Sequence, residues 1–345
     1  MTKIDFKIKL AFISGLKEVV MEEIRKGKSL RVIDWAEDFA VFEYPDNFAA
    51  IFNLRSVQRA YVILEDERYH PTYLSKHKSV LKNLIDVVLG SNEDAFKSFK
   101  INCAGSDSLE VRNIASYVRE TFKLEEAEEA DLKIHIIKRD DKWEVGVQMT
   151  PRPLSLRDYR VMNMKGGMDP TIAYAMNSLG NLEDRKSYLN IFSGSGTLLI
   201  EAGLCYQNLE QLIGFDNDKE HLSLSIQNIK KAGLIRRVQV LEKNVLDKPV
   251  LGKFDVIASD LPFGMSILKG QDLESLYRAF IECSKENLEP DGLLVAYTSE
   301  YELLRRIISG SNFKILKTLE LKFITNANSY LRTKIFVCRL KGING

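Results

Sequence analysis

From residue 187 to residue 297 the chain alternates short apolar runs with amphipathic stretches, and this alternation limits the fold more than any other feature. The runs cover 188–192, 212–215, 238–241, 254–259 and 293–297, and helical patterns begin near Thr197, Lys219 and Leu273. Each run is too short for a helix and lacks a polar face, so it suits a strand buried on both sides. Strands joined through helices run in the same direction, which predicts a parallel sheet covered by helices on both faces. Two longer strand-like stretches, 312–323 and 331–340, follow with no helix between them and are expected to end the sheet as an antiparallel pair.

The front of the chain has a different order. A polar–apolar alternation over 3–13 reads as a strand. A helix follows from Gly15, with Leu16, Val19, Val20 and Ile24 at helical spacing. Strands at 29–34 and 40–44, a helix at 47–54 and a strand at 57–65 complete the β-α-β-β-α-β order of a ferredoxin-like unit. A long helix is expected at 74–89, with Lys76, Lys78 and Lys82 on its polar side. A strand at 99–104, a helix at 109–122 and a strand pair at 130–137 and 142–149 come next. The acidic run 125–129 reads as a solvated loop or helix end. Pro151 and Pro153 mark a boundary, and a helix is expected over 171–179. These patterns divide the chain into a ferredoxin-like domain at 1–70, a second α/β module at 71–150, a linker and entry helix at 151–180, and the sheet domain at 181–345.

The 345 residues carry a formal net charge of +1, so bulk charge gives no argument for a nucleic-acid partner and any basic footprint must be local. Cys103, Cys205, Cys283 and Cys338 have no C-x-x-C or H-x-x-x-H spacing near them, which argues against a metal site and for reduced thiols in a cytoplasmic protein. The start of the chain alternates charged and apolar residues instead of building a signal sequence, and no apolar run is long enough to span a bilayer. His70, His77, His135 and His221 sit in no motif and are expected to be structural or exposed. Trp35 and Trp143 fall on expected strands, where packing is the default.

Residues 190–197 lie where the first apolar run turns into a helix. Gly194 and Gly196 allow a tight turn and a close backbone approach, and the helix from Thr197 presents free N–H groups there. Asp216, twenty residues after Gly196, ends the next strand and suits a ribose diol. A dinucleotide enzyme would want a third glycine where Leu199 stands, and a phosphate-binding P-loop would want a lysine that is absent. A tight turn without ligand, a dinucleotide and S-adenosylmethionine all remain open on the loop alone.

Asn190, Gly194, Ser195, Gly196 and Thr197 resemble motif I of class I methyltransferases, although many members carry an acidic residue at the position of Asn190. Phe215, Asp216 and Asn217 resemble their motif II, and residues 244–247 the adenine-contacting motif III. Residues 259–264 resemble the Asn/Asp-Pro-Pro-Tyr/Phe motif of enzymes that methylate exocyclic amines of nucleobases, with Leu261 where a first proline is usual. Some RNA guanine-N2 methyltransferases share this Asp-Leu/Met-Pro-Phe-Gly form. The alternative for this segment is a simple turn. The resemblance implies a Rossmann-like fold and S-adenosylmethionine as cofactor. It implies cofactor contacts at Asn190, Ser193, Gly194, Ser195, Gly196, Thr197, Asp216, Asn217, Asn244, Val245 and Asp260. It implies a catalytic loop of Asp260, Leu261, Pro262 and Phe263. There Asp260 and a main-chain carbonyl near Leu261 would accept from the amine as positive charge develops on nitrogen, Pro262 would stiffen the loop, and Phe263 would stack on the base.

The stretch 13–20, the linker residues Pro153, Arg157, Tyr159 and Arg160, and residues 168–173 extend the resemblance over nearly the whole chain. They are similar to the THUMP-domain RNA methyltransferases, whose THUMP module grips RNA. This resemblance implies an α/β protein with a THUMP region ahead of a class I methyltransferase domain. Its substrate would be a guanosine N2 amine in structured RNA, with tRNA first and ribosomal RNA as the alternative. A non-catalytic RNA-binding protein that keeps a cofactor pocket is a further alternative. Lys76, Lys78, Lys82, Arg157 and Arg160 are candidate phosphate contacts, each weighed against an ordinary solvated charge. A monomer without metal or membrane association is expected.

Overall fold

The structure, a computed structural model, describes residues 5–27, 30–44, 48–91, 95–105, 107–162, 164, 166–263, 272–326 and 329–342. It divides into two units, one of residues 1–12 and 20–155, the other of residues 13–19 and 156–345.

In the first unit the strands are β1 (Lys7–Ala11), β2 (Val32–Trp35), β3 (Phe39–Glu43), β4 (Arg59–Asp66), β5 (Ser98–Cys103), β6 (Glu125–Glu126), β7 (Leu132–Arg139) and β8 (Lys142–Gln148). The helices are α1 (Lys17–Gly27), α2 (Ala49–Phe52), α3 (Leu74–Ser91) and α4 (Leu109–Phe122). Among the described residues they form one sheet in the order β2-β3-β1-β4-β8-β7-β5-β6. The first four strands have the ferredoxin-like order with antiparallel neighbours. The sheet does not stop near residue 70. The outer edge of β4 pairs with β8 from Tyr61 to Asp66, so the expected ferredoxin-like and following modules share one continuous sheet. Pairing removes an edge that would otherwise expose a row of unsatisfied backbone groups. Acidic residues expected in a loop instead start a short strand. Glu125 and Glu126 pair in parallel with Ser98 and Phe99 at the sheet's rim, where charge discourages further pairing. Helices α3 and α4 bury Leu81, Leu84, Ile85, Val111, Ile114 and Val118, and the strands bury Leu10, Val62, Val145 and Val147.

The second unit contains α5 (Pro170–Leu179), β9 (Ser187–Ile191), α6 (Thr197–Cys205), β10 (Gln211–Asp216), α7 (Lys219–Lys231), β11 (Val238–Glu242), β12 (Phe254–Asp260), α8 (Leu273–Asn287), β13 (Leu288–Thr298), α9 (Tyr301–Ser309), β14 (Phe313–Asn326) and β15 (Ser329–Leu340). The sheet order is β11-β10-β9-β12-β13-β15-β14. The first five of these strands are mutually parallel, and β15 is antiparallel to both β13 and β14, the arrangement read from the sequence. Strand order reverses between β9 and β12. Their carboxyl ends therefore open onto the crevice where sheets of this type bind ligands. Helix α9 was not expected. Its signal is short, with Leu304, Ile307 and Ile308 as the buried i, i+3, i+4 face. Cys283 and Cys338 are buried among apolar side chains, and burial pushes their thiols up to about 11 and about 12. Among the described residues no helix is long and apolar enough to cross a membrane, and no group of His, Cys, Asp and Glu is placed to hold a metal ion.

Candidate active site

Strand β9 ends in a turn that needs left-handed backbone, with φ of 56° at Phe192, 51° at Gly194 and 81° at Gly196. The turn is held by Ser193 N–H donating to Phe215 O (2.9 Å) and Gly196 N–H donating to Ser193 O (2.8 Å). At Gly196 a Cβ would stand 2.5 Å from Ser225 Oγ on α7, so both conformation and space demand glycine. Asp216, at the end of β10, is buried. Its Oδ2 accepts from Gly194 N–H (2.9 Å) and its Oδ1 from Asp218 N–H (3.1 Å), which locks the glycine turn to the second strand. His221 Nδ1 lies 3.4 Å from Asp216 Oδ1.

The turn forms the floor of a cavity of about 810 Å³. Its wall includes Asn190, Ser193, Gly194, Ser195, Thr197, Asp216, Asn217, Asn244, Val245 and the whole segment Asp260–Phe263. Of the residues singled out for cofactor and catalysis, Gly196 alone is outside that wall, packed instead against α7. Gly264 lies outside the described residues.

Among the described residues three buried polar atoms of this lining have no partner: Ser193 Oγ, Asn190 Oδ1 and Asp260 Oδ1. Asn190 is fully buried, and its Nδ2 donates to Ala258 O (3.0 Å) and Ile191 O (3.2 Å), tying β9 to β12 at the point of reversal. Its Oδ1 accepts nothing. Asp260 ends β12, and its Oδ1 is likewise sealed and unpartnered. Burial without a compensating donor pushes this carboxyl up to about 8. Buried polar groups are ordinarily satisfied, so orphan acceptors in one cavity mark places for ligand donors.

The loop after Asp260 is fixed from below. Leu261 N–H donates to Tyr297 O (3.0 Å). Tyr277 Oη donates to Pro262 O (3.0 Å) and lies 2.7 Å from Thr298 Oγ1. Leu261 is 1% exposed and belongs to the core that contains Leu276, Tyr277 and Phe280, which accounts physically for an aliphatic residue where the resembled motif has proline. Phe263 is half-buried, edge-on to Tyr297 at 6.0 Å and 81°, with part of its surface left for the cavity.

The linker before α5 straps over this floor. Arg157 Nε is 3.1 Å from Glu201 Oε1, and Tyr159 Oη donates to the same oxygen at 2.8 Å. Glu201, on α6, is fully buried. The expectation that Arg157 contacts phosphate is therefore corrected, because its guanidinium neutralises an interior carboxylate. Arg160 is half-buried on the same strap, with its Nε in the interior. Lys76, Lys78 and Lys82 are exposed on α3 of the first unit, where Lys82 pairs with Asp86 (2.6 Å) and Lys78 sits 5.4 Å from the Tyr117 ring centroid.

Four contributors escaped the sequence reading. Asn228 of α7 donates through Nδ2 to Met162 O (3.1 Å) and Ser195 O (3.2 Å) and accepts from Met162 N–H (3.0 Å), joining strap to glycine turn. Met164 covers Gly194. Tyr277 supports the loop after Asp260. His221, expected to be bland, lines the cavity. A lone polar residue in a helical pattern carries no signal of this kind. Only His221, five residues after Asp216 on the first turn of a helix, was within reach of the argument.

Comparison with known proteins shows what the chain is similar to. The family model described as an RMKL-like methyltransferase domain matches residues 157–325. The chain is 33% identical over 133 residues to mouse U6 snRNA (guanine-N(2))-methyltransferase THUMPD2, a match covering 38% of this chain and 24% of that protein. The chain thus spans about a quarter of the length of that relative. It is 22% identical over 293 residues to the tRNA (guanine(6)-N2)-methyltransferase of Methanocaldococcus jannaschii, covering 73% of this chain and 74% of the other. The crystal structure of TrmN from Thermus thermophilus superposes with a TM-score of 0.77 at 18% identity, over 97% of this chain and 99% of that one, which establishes the fold. Residues 157–325 thus resemble the RMKL-like methyltransferase domains, and the fold is that of the TrmN structure.

Proposed function

We propose that this protein transfers a methyl group from S-adenosylmethionine to the exocyclic N2 amine of a guanosine in structured RNA, with tRNA as the substrate. The observation that carries the reading is the sealed, unpartnered Asp260 Oδ1 in the same cavity as the Gly194–Gly196 turn. An aromatic amine is a poor nucleophile because its lone pair is delocalised into the ring. An acceptor held rigidly at its N–H stabilises the charge that grows on nitrogen during transfer. The names of the mouse and M. jannaschii relatives, both guanine-N2 methyltransferases of RNA, support the choice of base and polymer.

The residues present fit the cofactor. Asp216 has the position and the remaining lone pairs for a ribose diol, Val245 and Asn244 flank the place for an adenine, and Asn190 Oδ1 can accept from an ammonium group. Bound there, the cofactor supplies a methyl group already activated on a sulfonium. The chain's own work is positioning. Phe263 offers a ring face to the base, and Tyr277, through the Pro262 carbonyl, keeps the loop aimed. Asp260 Oδ1 accepts the amine N–H and can hold the proton released when the new N–C bond is complete. A base in a helix must leave its stack to reach this depth. The protein is proposed to act as a cytoplasmic monomer.

The test is incubation with tritiated S-adenosylmethionine and, separately, unmodified tRNA and ribosomal RNA, followed by digestion to nucleosides. Label in N2-methylguanosine from tRNA is the expected result. The same nucleoside from ribosomal RNA alone would move the substrate. Label in N6-methyladenosine, or cofactor binding without label in either RNA, would overturn the proposal.

A further inference from the structure

The β14–β15 hairpin is longer than the sheet it closes. Thr298, the last residue of β13, pairs with Lys334, yet β14 and β15 continue to pair from Leu321↔Thr333 out to Asn326↔Ser329. At about 3.3 Å per residue, the five residues from Ser329 to Thr333 carry the hairpin roughly 15 Å past the end of β13. They leave by the carboxyl edge of the parallel strands, the edge that holds Asp260. Two strand spacings, about 10 Å, separate β15 from β12.

The overhang has two unlike faces. On one, Leu321 and Thr333 are fully buried. On the other, the register sets Ile324 opposite Tyr330 and Lys322 opposite Arg332, with Lys334 below. Ile324 is 76% exposed, Tyr330 61% and Arg332 56%. Residues 313–340 contain six lysines and arginines and one carboxylate, Glu320, in a chain whose formal net charge is only +1. Glu320 is shared between Arg332 (3.5 Å) and Lys334 (3.6 Å), so positive charge stays in excess, and Lys334 also lies 4.2 Å from the Tyr301 ring centroid. An exposed ring among cations is the chemistry that holds unpaired nucleotides, by stacking on the base and neutralising its phosphates. A protein-binding patch would instead be depleted of lysine at its centre.

We propose that this hairpin binds single-stranded RNA next to the guanosine being methylated, with a base stacked on Tyr330 and phosphates on Lys322 and Arg332. The inference rests on the RNA-methylation reading but is tested separately from it. Fluorescein-labelled single-stranded oligoribonucleotide is titrated with the full chain, wild type and variants, in saturating S-adenosylhomocysteine. Tyr330→Ala is expected to weaken binding about tenfold, while Tyr330→Phe restores it. The double variant Lys322→Ala/Arg332→Ala is expected to lower the slope of log K against log salt by about 1.4. S-adenosylhomocysteine affinity should stay at the wild-type value in every variant, reporting an intact fold. In the transfer assay, KM for tRNA should rise with kcat retained. Unchanged oligonucleotide affinity in both Tyr330→Ala and the double variant overturns the proposal. So does loss of self-association by these variants with RNA binding intact, which would make the hairpin a protein interface. Hairpin-dependent RNA binding by a wild type that methylates no RNA would sink the methylation reading and leave the hairpin assignment standing.

Discussion

Asp260 gives the sharpest quantitative expectation. Its carboxyl is pushed from 3.8 up to about 8 by burial, with Oδ1 unpartnered. At about 1.36 kcal/mol per unit, full ionisation in the ligand-free protein costs about 6 kcal/mol, and roughly 4 kcal/mol at pH 7. Because Asp260 also faces the cavity, these are upper limits. The sign follows from proton linkage. Between about pH 4 and pH 8 the folded protein binds the Asp260 proton more tightly than the unfolded chain, so this residue erodes stability as pH rises through that window. Asp260→Asn removes the titrating group and keeps the shape. Urea midpoints of wild type and variant, measured without ligand from pH 5 to pH 9, should differ least at pH 5. The variant's advantage should widen up to about pH 8 and then level off. A gap between the two proteins that does not change with pH would refute the reasoning, because it would mean that Asp260 titrates normally. The same group predicts methyl transfer that rises with pH through a value at or below about 8, since only the ionised carboxylate is a pure acceptor and a nearby sulfonium favours it. In Asp260→Asn that limb of the profile should vanish.

Other expectations concern the supports of the site. Tyr277→Phe removes the donor to Pro262 O and should lower kcat about tenfold with S-adenosylhomocysteine affinity unchanged, read by single-turnover kinetics and calorimetry. Gly196→Ala forces a Cβ toward Ser225 Oγ at a φ of 81°, so cofactor affinity should fall at least tenfold and stability by about 2 kcal/mol, measured by calorimetry and urea unfolding. Glu201→Gln withdraws the charge that compensates Arg157 in the interior and should cost about 3 kcal/mol in the same unfolding assay, whereas Lys82→Ala on the exposed face of α3 should cost less than about 0.5 kcal/mol.

The parallel sheet was legible because strands buried on both faces leave unbroken apolar runs, and β9, β10 and β12 follow that rule. The glycine turn was legible because its left-handed backbone leaves a mark in residue type at 194 and 196. Partnerships across the fold left no such mark. Arg157 reads as a surface cation until α6 brings Glu201 beneath it, 44 residues later in the chain. Tyr277 reads as one more apolar position of α8, and only packing aims its hydroxyl at Pro262 O. The continuity of the front sheet was hidden for the same reason, since β4 pairs with β8 far along the chain, as at Tyr61 and Gln148. The hairpin overhang depends on register, which strand-like composition does not encode.

The Asn228 amide has a further consequence. It grips Met162 on the strap and Ser195 on the glycine turn with one side chain, so neither segment can open without breaking bonds shared with the other. Residues 157–162 and 193–197 should therefore form one cooperative unit in native-state hydrogen exchange, opening with a common free energy. A ligand settling on Ser195 would slow exchange at Met162, although it never touches that residue. In such a molecule, occupancy of the pocket is written into the protection of a distant stretch of backbone.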